Sequence, residues 1–422
     1  MNYFNPVNLA IVACPGGDVF ADEVIKHLRN KYRFSRKQTI EDISERYSIS
    51  IEQANLHIEL INRIVARGMA SQSGTKNDNG DFKVPVKFTR FSNGEIKAEI
   101  EESIRGKDVY VFQDVENRYP VKFSGETITT LSTNDHLMTT FVTIDAVRQA
   151  GAQRITLVIP SYPYSRQHKA RGREGLTASR IGRIFESLGV NHIITLDIHS
   201  RDIMNAFDKL RIENLHASYQ IIQTLTRMDV LNDDFVVASP DTGAVDRNKF
   251  YASALKKPLA LLYKERDYSR ISKDASQSNI SQIRLLGSVK DKTVFMADDI
   301  LGTGGTLIKG MEHLKENDAR RIICAISLPL FSGNAISLFD AAYNEGLFYR
   351  IIGTNAVYQE EVLKREWYVN VNISRLFAHV ISRLHQNQSV SSLLDNASII
   401  NRLISKTMAE GPQTELPFTG AE

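Results

Sequence analysis

The sequence predicts an α/β protein with parallel sheets, and three observations predict it. Short β-branched runs alternate with stretches of helical period through most of the chain. Several of those runs end in a polar or glycine-containing loop that a helix follows, the rhythm of strands covered by helices on both faces. The 422 residues are 42% hydrophobic and 24% charged, which is enough apolar material for two cores.

In chain order the expected strands are Asn8 to Ala13, Val109 to Gln113, Arg154 to Ile159, His192 to Asp197, Phe235 to Ser239, Leu259 to Tyr263, Thr293 to Ala297 and Arg321 to Ile326. Three segments break the rhythm. Between Thr39 and Val65, Ile40, Ile43, Tyr47, Ala54, Ile58, Ile61 and Val65 recur at helical spacing, Ser50 and Gln53 resemble a capping box, and Gly68 is the expected stop. This reads as an inserted helical pair within residues 30–85, with a polar linker from Ala70 to Asp81. Lys31, Arg33, Arg36 and Lys37 nearby admit a DNA-reading helix-turn-helix, but the preferred reading is a solvated basic face beside a packing helix. The second break is a long polar loop from Asp114 to Thr133. The third is a fraying tail after about Thr407, residues 408–422.

Lys plus Arg number 52 against 49 Asp plus Glu, a formal charge of +3, too small for a general affinity for nucleic acid or membrane surfaces. Any bound anion must meet local groups. Cys14 and Cys324 lie far apart and form no CxxC pair, which argues against a disulfide framework or a thiolate metal site and fits a reducing compartment. The first basic residue is Lys26, and the apolar stretch Ile322 to Phe331 is too short for a bilayer, so the expectation is a cytoplasmic protein without signal or membrane helix.

The strongest local signal runs from Val294 to Thr306: a strand, the pair Asp298-Asp299, the turn Gly302-Thr303-Gly304-Gly305-Thr306, and a helix start. The glycines let backbone N–H groups turn toward an anion, Thr303 and Thr306 add hydroxyl donors, and the helix contributes its positive end. Asp298 and Asp299 suit ribose hydroxyls. Neither GxxxxGK[ST] nor GxGxxG fits, so P-loop NTPases and Rossmann dehydrogenases lose ground. The segment resembles the phosphoribosyl-diphosphate loop of type I phosphoribosyltransferases.

Seven further segments occur in the order seen in ribose-phosphate diphosphokinases, also called phosphoribosyl-pyrophosphate synthetases. They are Arg90 to Glu95, Arg105 to Gln113, Asn134 to Met138, Tyr164 to Gln167, Asp197 to His199, Ser239 to Gly243 and Ser332 to Ala335. The resemblance covers about residue 85 to Leu394, with a weaker match at Asn8 to Leu28. It implies two tandem type I phosphoribosyltransferase-like domains, here 1–215 and 216–400, with the helical insertion outside the pattern. It also implies transfer of a diphosphoryl group from ATP to ribose 5-phosphate with release of AMP, Mg2+ dependence, and a dimer-based homo-oligomer, commonly a hexamer.

Such a transfer spreads negative charge over oxygens, so it needs cations and positioning more than a covalent nucleophile. Lys264 and Arg266 supply two cations, and an extended backbone would put both on one side with Glu265 pointing away. In the family this segment begins a mobile catalytic loop, and Asp267 to Gln282 has a matching composition. The resemblance gives His199 and Asp241 to metal. Of the two, Asp241 is the natural Mg2+ ligand, while the imidazole suits contact through water or with ATP phosphate. It also gives the adenine nucleotide Phe91, Asn93, Gly94 and Glu95 from one subunit and Arg166 and Gln167 from another, with Arg247 on a nucleotide phosphate. Departures from the family pattern are Asn93 for Asp, Gly302 for an acidic residue, His168 for Asp, and Leu328 for His. Two other functions are weighed against the diphosphokinase: a catalytically quiet regulatory subunit, and a nucleobase phosphoribosyltransferase.

Overall fold

Runs such as Leu9-Ala10-Ile11-Val12 are buried throughout, as strands covered by helices on both faces must be. The computed structural model describes residues 4–67, 82–125, 128–170, 172–266 and 280–410. These form two units. The first comprises Met1–Leu215, Ala356–Tyr358 and Ile373–Leu394, and the second comprises His216–Asn355, Gln359–Asn372 and Asp395–Glu422.

The first unit contains β1 (Leu9–Ala13), β2 (Val86–Arg90), β3 (Ile96–Ile100), β4 (Asp108–Phe112), β5 (Val121–Lys122), β6 (Ile128–Thr129), β7 (Arg154–Val158), β8 (His192–Leu196) and β9 (Arg211–Leu215), with helices α1 (Asp18–Tyr47), α2 (Ile51–Arg67), α3 (Thr133–Gln149) and α4 (Thr177–Ser187). Its sheet runs β1-β4-β7-β8-β9, every pair parallel. The second unit holds β10 (Phe235–Ser239), β11 (Leu259–Arg266), β12 (Ile280–Leu286), β13 (Thr293–Leu301), β14 (Arg321–Pro329), β15 (Arg350–Thr354) and β16 (Tyr368–Val371), with α5 (Ser218–Arg227), α6 (Val245–Leu255), α7 (Gly305–Glu316) and α8 (Ala335–Asn344). Its order is β12-β11-β10-β13-β14-β15-β16, parallel except for β11 with β12. The chain then re-enters the first unit as α9 (Ser374–His385) and α10 (Ser391–Leu394) before ending in the second as α11 (Ala397–Glu410). The second span is therefore interrupted twice, where a continuous 216–400 was expected.

Several expectations change. No glycine or proline interrupts residues 18–47, so the first helix runs unbroken through Thr39 and the insertion begins as its extension. Ser48 in the left-handed region ends it, and the Ser50–Gln53 capping box is made in both directions at 3.1 and 3.0 Å. Arg36, from the basic group, donates to Asn55 Oδ1 at 2.8 Å and Glu59 Oε1 at 3.2 Å, tying α1 to α2. Gly68 and the linker from Ala70 to Asp81 lie outside the described residues. The polar loop after Asp114 contains the short antiparallel pair β5–β6. Helix α11 continues to Glu410, past the expected onset of the tail, and 411–422 lie outside the description.

Helix α9 is fastened to its sheet by charge. Asp108 accepts from Arg154 Nε at 2.8 Å and Nη2 at 2.5 Å and pairs with His385 Nδ1 at 2.8 Å, while Arg154 also donates to Leu384 O at 2.9 Å. Burial raises the Asp108 carboxyl, but the hydrogen bonds from Arg154 and His385 outweigh it and hold the group below the usual carboxylate range.

Asp114, just beyond β4, behaves in the opposite way. It is 3% exposed and accepts from the N–H groups of Tyr358 and Glu116, each at 3.0 Å. Burial pushes it up to about 7 against those bonds. A carboxyl raised on folding holds its proton more tightly in the native state, so its contribution to stability falls as pH rises from the ordinary Asp range through about 7. The full fall is roughly 4 kcal/mol. Urea unfolding is expected to lose more free energy between pH 5 and pH 8 in the native protein than in Asp114→Asn. Identical pH dependence in the two would contradict this.

Candidate active site

In the second unit the strand order reverses between β10 and β13. Beyond β10 the chain crosses through α6 to β11 on one side, whereas β13 lies on the other, so the loops leaving β10 and β13 diverge and open a crevice at their carboxyl ends. After β10 comes Asp241. The Ser239 hydroxyl donates to its carbonyl at 2.7 Å, and its Oδ1 accepts from Ala244 N–H at 3.0 Å, which fixes the carboxylate over the first turn of α6.

β13 runs to Leu301, four residues beyond its expected end, because pairing with β14 continues to Pro329. Asp298 and Asp299 therefore sit within the strand, each accepting from the following N–H at 2.9 Å. Burial raises Asp298, the neighbouring Asp299 charge adds to it, and Arg247 opposes both. The Arg247 guanidinium lies 3.8 Å from Asp299 Oδ2.

The turn that follows is held at its base by Leu330 N–H to Leu301 O and Ser332 N–H to Gly302 O, both at 2.9 Å. Gly304 has φ +78°, and a Cβ there would lie 2.3 Å from the buried Phe339 ring, so only glycine closes the turn. Helix α7 starts at Gly305 with no side-chain cap, so its first N–H groups and its positive end face the turn, flanked by exposed Thr303 and Thr306.

Lys264 and Arg266 end β11. Pairing of β11 with β10 stops at Leu261, but pairing with β12 continues through Arg266 opposite Ile280, so both cations stand on a two-stranded arm beyond the main sheet. The register slips between Glu265 and Arg266, which breaks the simple alternation expected of Lys264 and Arg266. Their side chains and residues 267–279 lie outside the description. Residues 280–282 belong to β12 rather than to the expected loop.

The first unit holds the other candidates. Phe91 to Glu95 forms the turn between β2 and β3, closed by Phe91 N–H to Glu95 O at 2.8 Å and Gly94 N–H to Phe91 O at 2.9 Å. Asn93 Oδ1 accepts from Glu95 N–H at 3.1 Å, and Phe91 is 49% exposed, which leaves a ring face for stacking. This hairpin is not among the strands expected from the sequence, although Asn93-Gly94 between alternating runs is a signal that could have found it. Arg166 and Gln167 are exposed in a turn after Tyr164. His168 next to them lies 5.2 Å, ring to ring, from exposed His199 at the end of β8, and burial together with the His199 charge lowers the His168 pKa. Asp197 is buried in the left-handed region, its N–H donating to Leu215 O at 2.8 Å, which fits a turn residue. Among the described residues no three His, Cys, Asp or Glu side chains gather to hold a metal ion.

A family model described as the N-terminal domain of ribose phosphate pyrophosphokinase matches residues 35–189, and a phosphoribosyl transferase domain matches 208–342. Ribose-phosphate pyrophosphokinase 2 of Enterococcus faecalis is 33% identical over 309 residues, 73% of this chain and 87% of that protein. Ribose-phosphate pyrophosphokinase of Bacillus subtilis is 33% identical over 72% of this chain and 87% of its own length. Among solved structures, phosphoribosylpyrophosphate synthetase from Mycobacterium smegmatis superposes with a TM-score of 0.65 at 24% identity, covering 90% of this chain and 99% of that one.

Proposed function

This chain belongs to the ribose-phosphate pyrophosphokinase family, and on that premise we propose how its residues divide the reaction. It transfers the diphosphoryl group of ATP to the anomeric hydroxyl of ribose 5-phosphate, giving phosphoribosyl diphosphate and AMP. The anomeric oxygen attacks the β-phosphorus in line, and the α,β-bridging oxygen leaves on AMP.

The observation that carries the assignment of residues is the uncapped start of α7 beside Gly304, directly after the acidic pair. Gly302, Thr303, Gly304, Gly305 and Thr306 take the 5-phosphate, while Asp298 and Asp299 take ribose hydroxyls. Raised as it is, Asp298 can hold a proton and donate, while Asp299 beside Arg247 accepts. Lys264 and Arg266 offset the charge that develops on the transferred phosphoryl oxygens. Phe91 stacks on adenine, with Asn93, Gly94, Glu95, Arg166 and Gln167 around the nucleotide. Arg247 offers its charge to Asp299 and to a nucleotide phosphate.

Mg2+ keeps several waters and binds through one or two carboxylates plus substrate phosphates, so a site with few protein ligands fits it. Asp241 would hold it, with His199 contributing through water or on the ATP phosphates. When bound it would neutralise phosphate charge. No helix among the described residues is long and apolar enough to cross a membrane, and both cysteines are free and buried, which supports a reducing cytoplasm. The same reading takes the enzyme as a dimer-based homo-oligomer. Purified protein with MgATP and ribose 5-phosphate is expected to form AMP and phosphoribosyl diphosphate in equal amounts. No AMP across varied phosphate and metal concentrations would overturn the reading, and consumption of phosphoribosyl diphosphate with a nucleobase would replace it.

A further inference from the structure

Asn248 lies on α6, fully buried, on the face shared with Tyr251, Ala252 and Leu255. A carboxamide in that position needs partners. Its Nδ2 donates to Ala244 O and to Ala297 O, and its Oδ1 accepts from Ala297 N–H, all at 2.9 Å.

The reason is the splay of the sheet. Residues 293, 295 and 297 of β13 turn their backbone groups toward β10, and Thr293 N–H reaches Asp234 O at 2.8 Å. Pairing of β10 with β13 ends at Val237 opposite Phe295. Ala297 would then present a bare N–H and C=O to the floor of the crevice, a cost of a few kcal/mol for two buried backbone groups. The Asn248 amide takes both, as a strand would.

The same side chain links the two walls. Ala244, whose carbonyl accepts from Asn248, donates its N–H to the Asp241 carboxylate at 3.0 Å. Ala297 immediately precedes Asp298. A continuous hydrogen-bonded path therefore runs from Asp241 through Ala244, Asn248 and Ala297 to the acidic pair. We propose that Asn248 is a positioning residue for the transfer, setting the separation of the Asp241 loop from the Asp298–Asp299 strand. It touches neither substrate. The proposal rests on the function assigned above and adds to it the residue that fixes the crevice.

Two substitutions separate hydrogen bonding from packing. Asn248→Ala removes volume and bonds, whereas Asn248→Leu keeps comparable volume and removes only the bonds. Both are expected to raise KM for ribose 5-phosphate about tenfold, and to raise with it the Mg2+ concentration giving half-maximal rate. Calorimetric titration with ribose 5-phosphate, without nucleotide or metal, is expected to show the same weakening. A residue that only supports the fold would lower the active fraction and leave KM and the titrated affinity unchanged, and that result overturns the proposal. So does Leu restoring native KM where Ala does not, because packing alone would then suffice. If Leu does not fold, Ala and the titration decide. Native enzyme that binds ribose 5-phosphate and makes AMP beside unaffected variants refutes this inference alone. Native enzyme that makes no AMP removes the assigned function and this inference with it.

Discussion

Lys264→Ala is expected to lower kcat at least about a thousandfold while KM for ribose 5-phosphate moves less than about threefold. The transferred diphosphoryl group gains negative charge on its oxygens, and the role proposed for Lys264 is to supply a cation at the moment of transfer rather than in the ground state. A group used only in the transition state alters kcat and kcat/KM together. Its backbone position explains how one residue can be so used. Lys264 and Arg266 lie on an arm of two strands, past the point where β10 stops supporting β11. A two-stranded ribbon outside its sheet is weakly held, and the proposed role asks that it approach a bound triphosphate without disturbing the core. Arg266→Ala should act in the same sense. Initial rates of AMP formation with each substrate varied decide the matter: a loss below tenfold, or one confined to KM, would take Lys264 out of the chemistry.

The crevice was legible because its signal is local. An acidic pair followed two residues later by a turn of three glycines and two threonines encodes strand, turn and helix start within one short window, and the structure builds them in that sequence between Thr293 and Glu316. The buried runs at Val109, Ile155, Ile193 and Phe235 were legible for the same reason. Pairing that depends on distant partners was not. The last four residues of β13 are strand only because β14 continues beside them, and Asp298-Asp299 alone reads as a strand end. β9 and β16 are short edge strands whose polar residues interrupt the apolar pattern, and β15 offers only Ile351-Ile352 as an apolar run. That Ile373–Leu394 belongs with the first unit follows from the Asp108–Arg154–His385 cluster, a contact across more than 200 positions that no window can see. Asn248 was missed because an asparagine among helical residues reads as surface. Its only sequence mark is its place on the same stripe as Tyr251, Ala252 and Leu255.

Gly304→Ala is expected to raise KM for ribose 5-phosphate about a hundredfold or more and to leave KM for ATP within about threefold. Two costs coincide at this position. At φ +78° an alanine meets the left-handed penalty, about 1 kcal/mol. Its Cβ would also enter the Phe339 ring at 2.3 Å, so the turn or the ring must move. Phe339 is fully buried and packs edge-on against Phe331 at 5.6 Å and against Phe348 at 5.7 Å, which leaves it little room to yield. The turn therefore moves, and with it the N–H groups at the start of α7 that would meet the phosphate. Phe339→Leu should remove the collision but not the dihedral cost. The double variant is accordingly expected to bind ribose 5-phosphate more tightly than Gly304→Ala alone, while Phe339→Leu by itself lowers the melting temperature through the cavity it leaves. Strictly additive effects in this cycle would show that the ring does not set the position of the turn, and an unchanged KM in Gly304→Ala would show that the turn does not hold the phosphate.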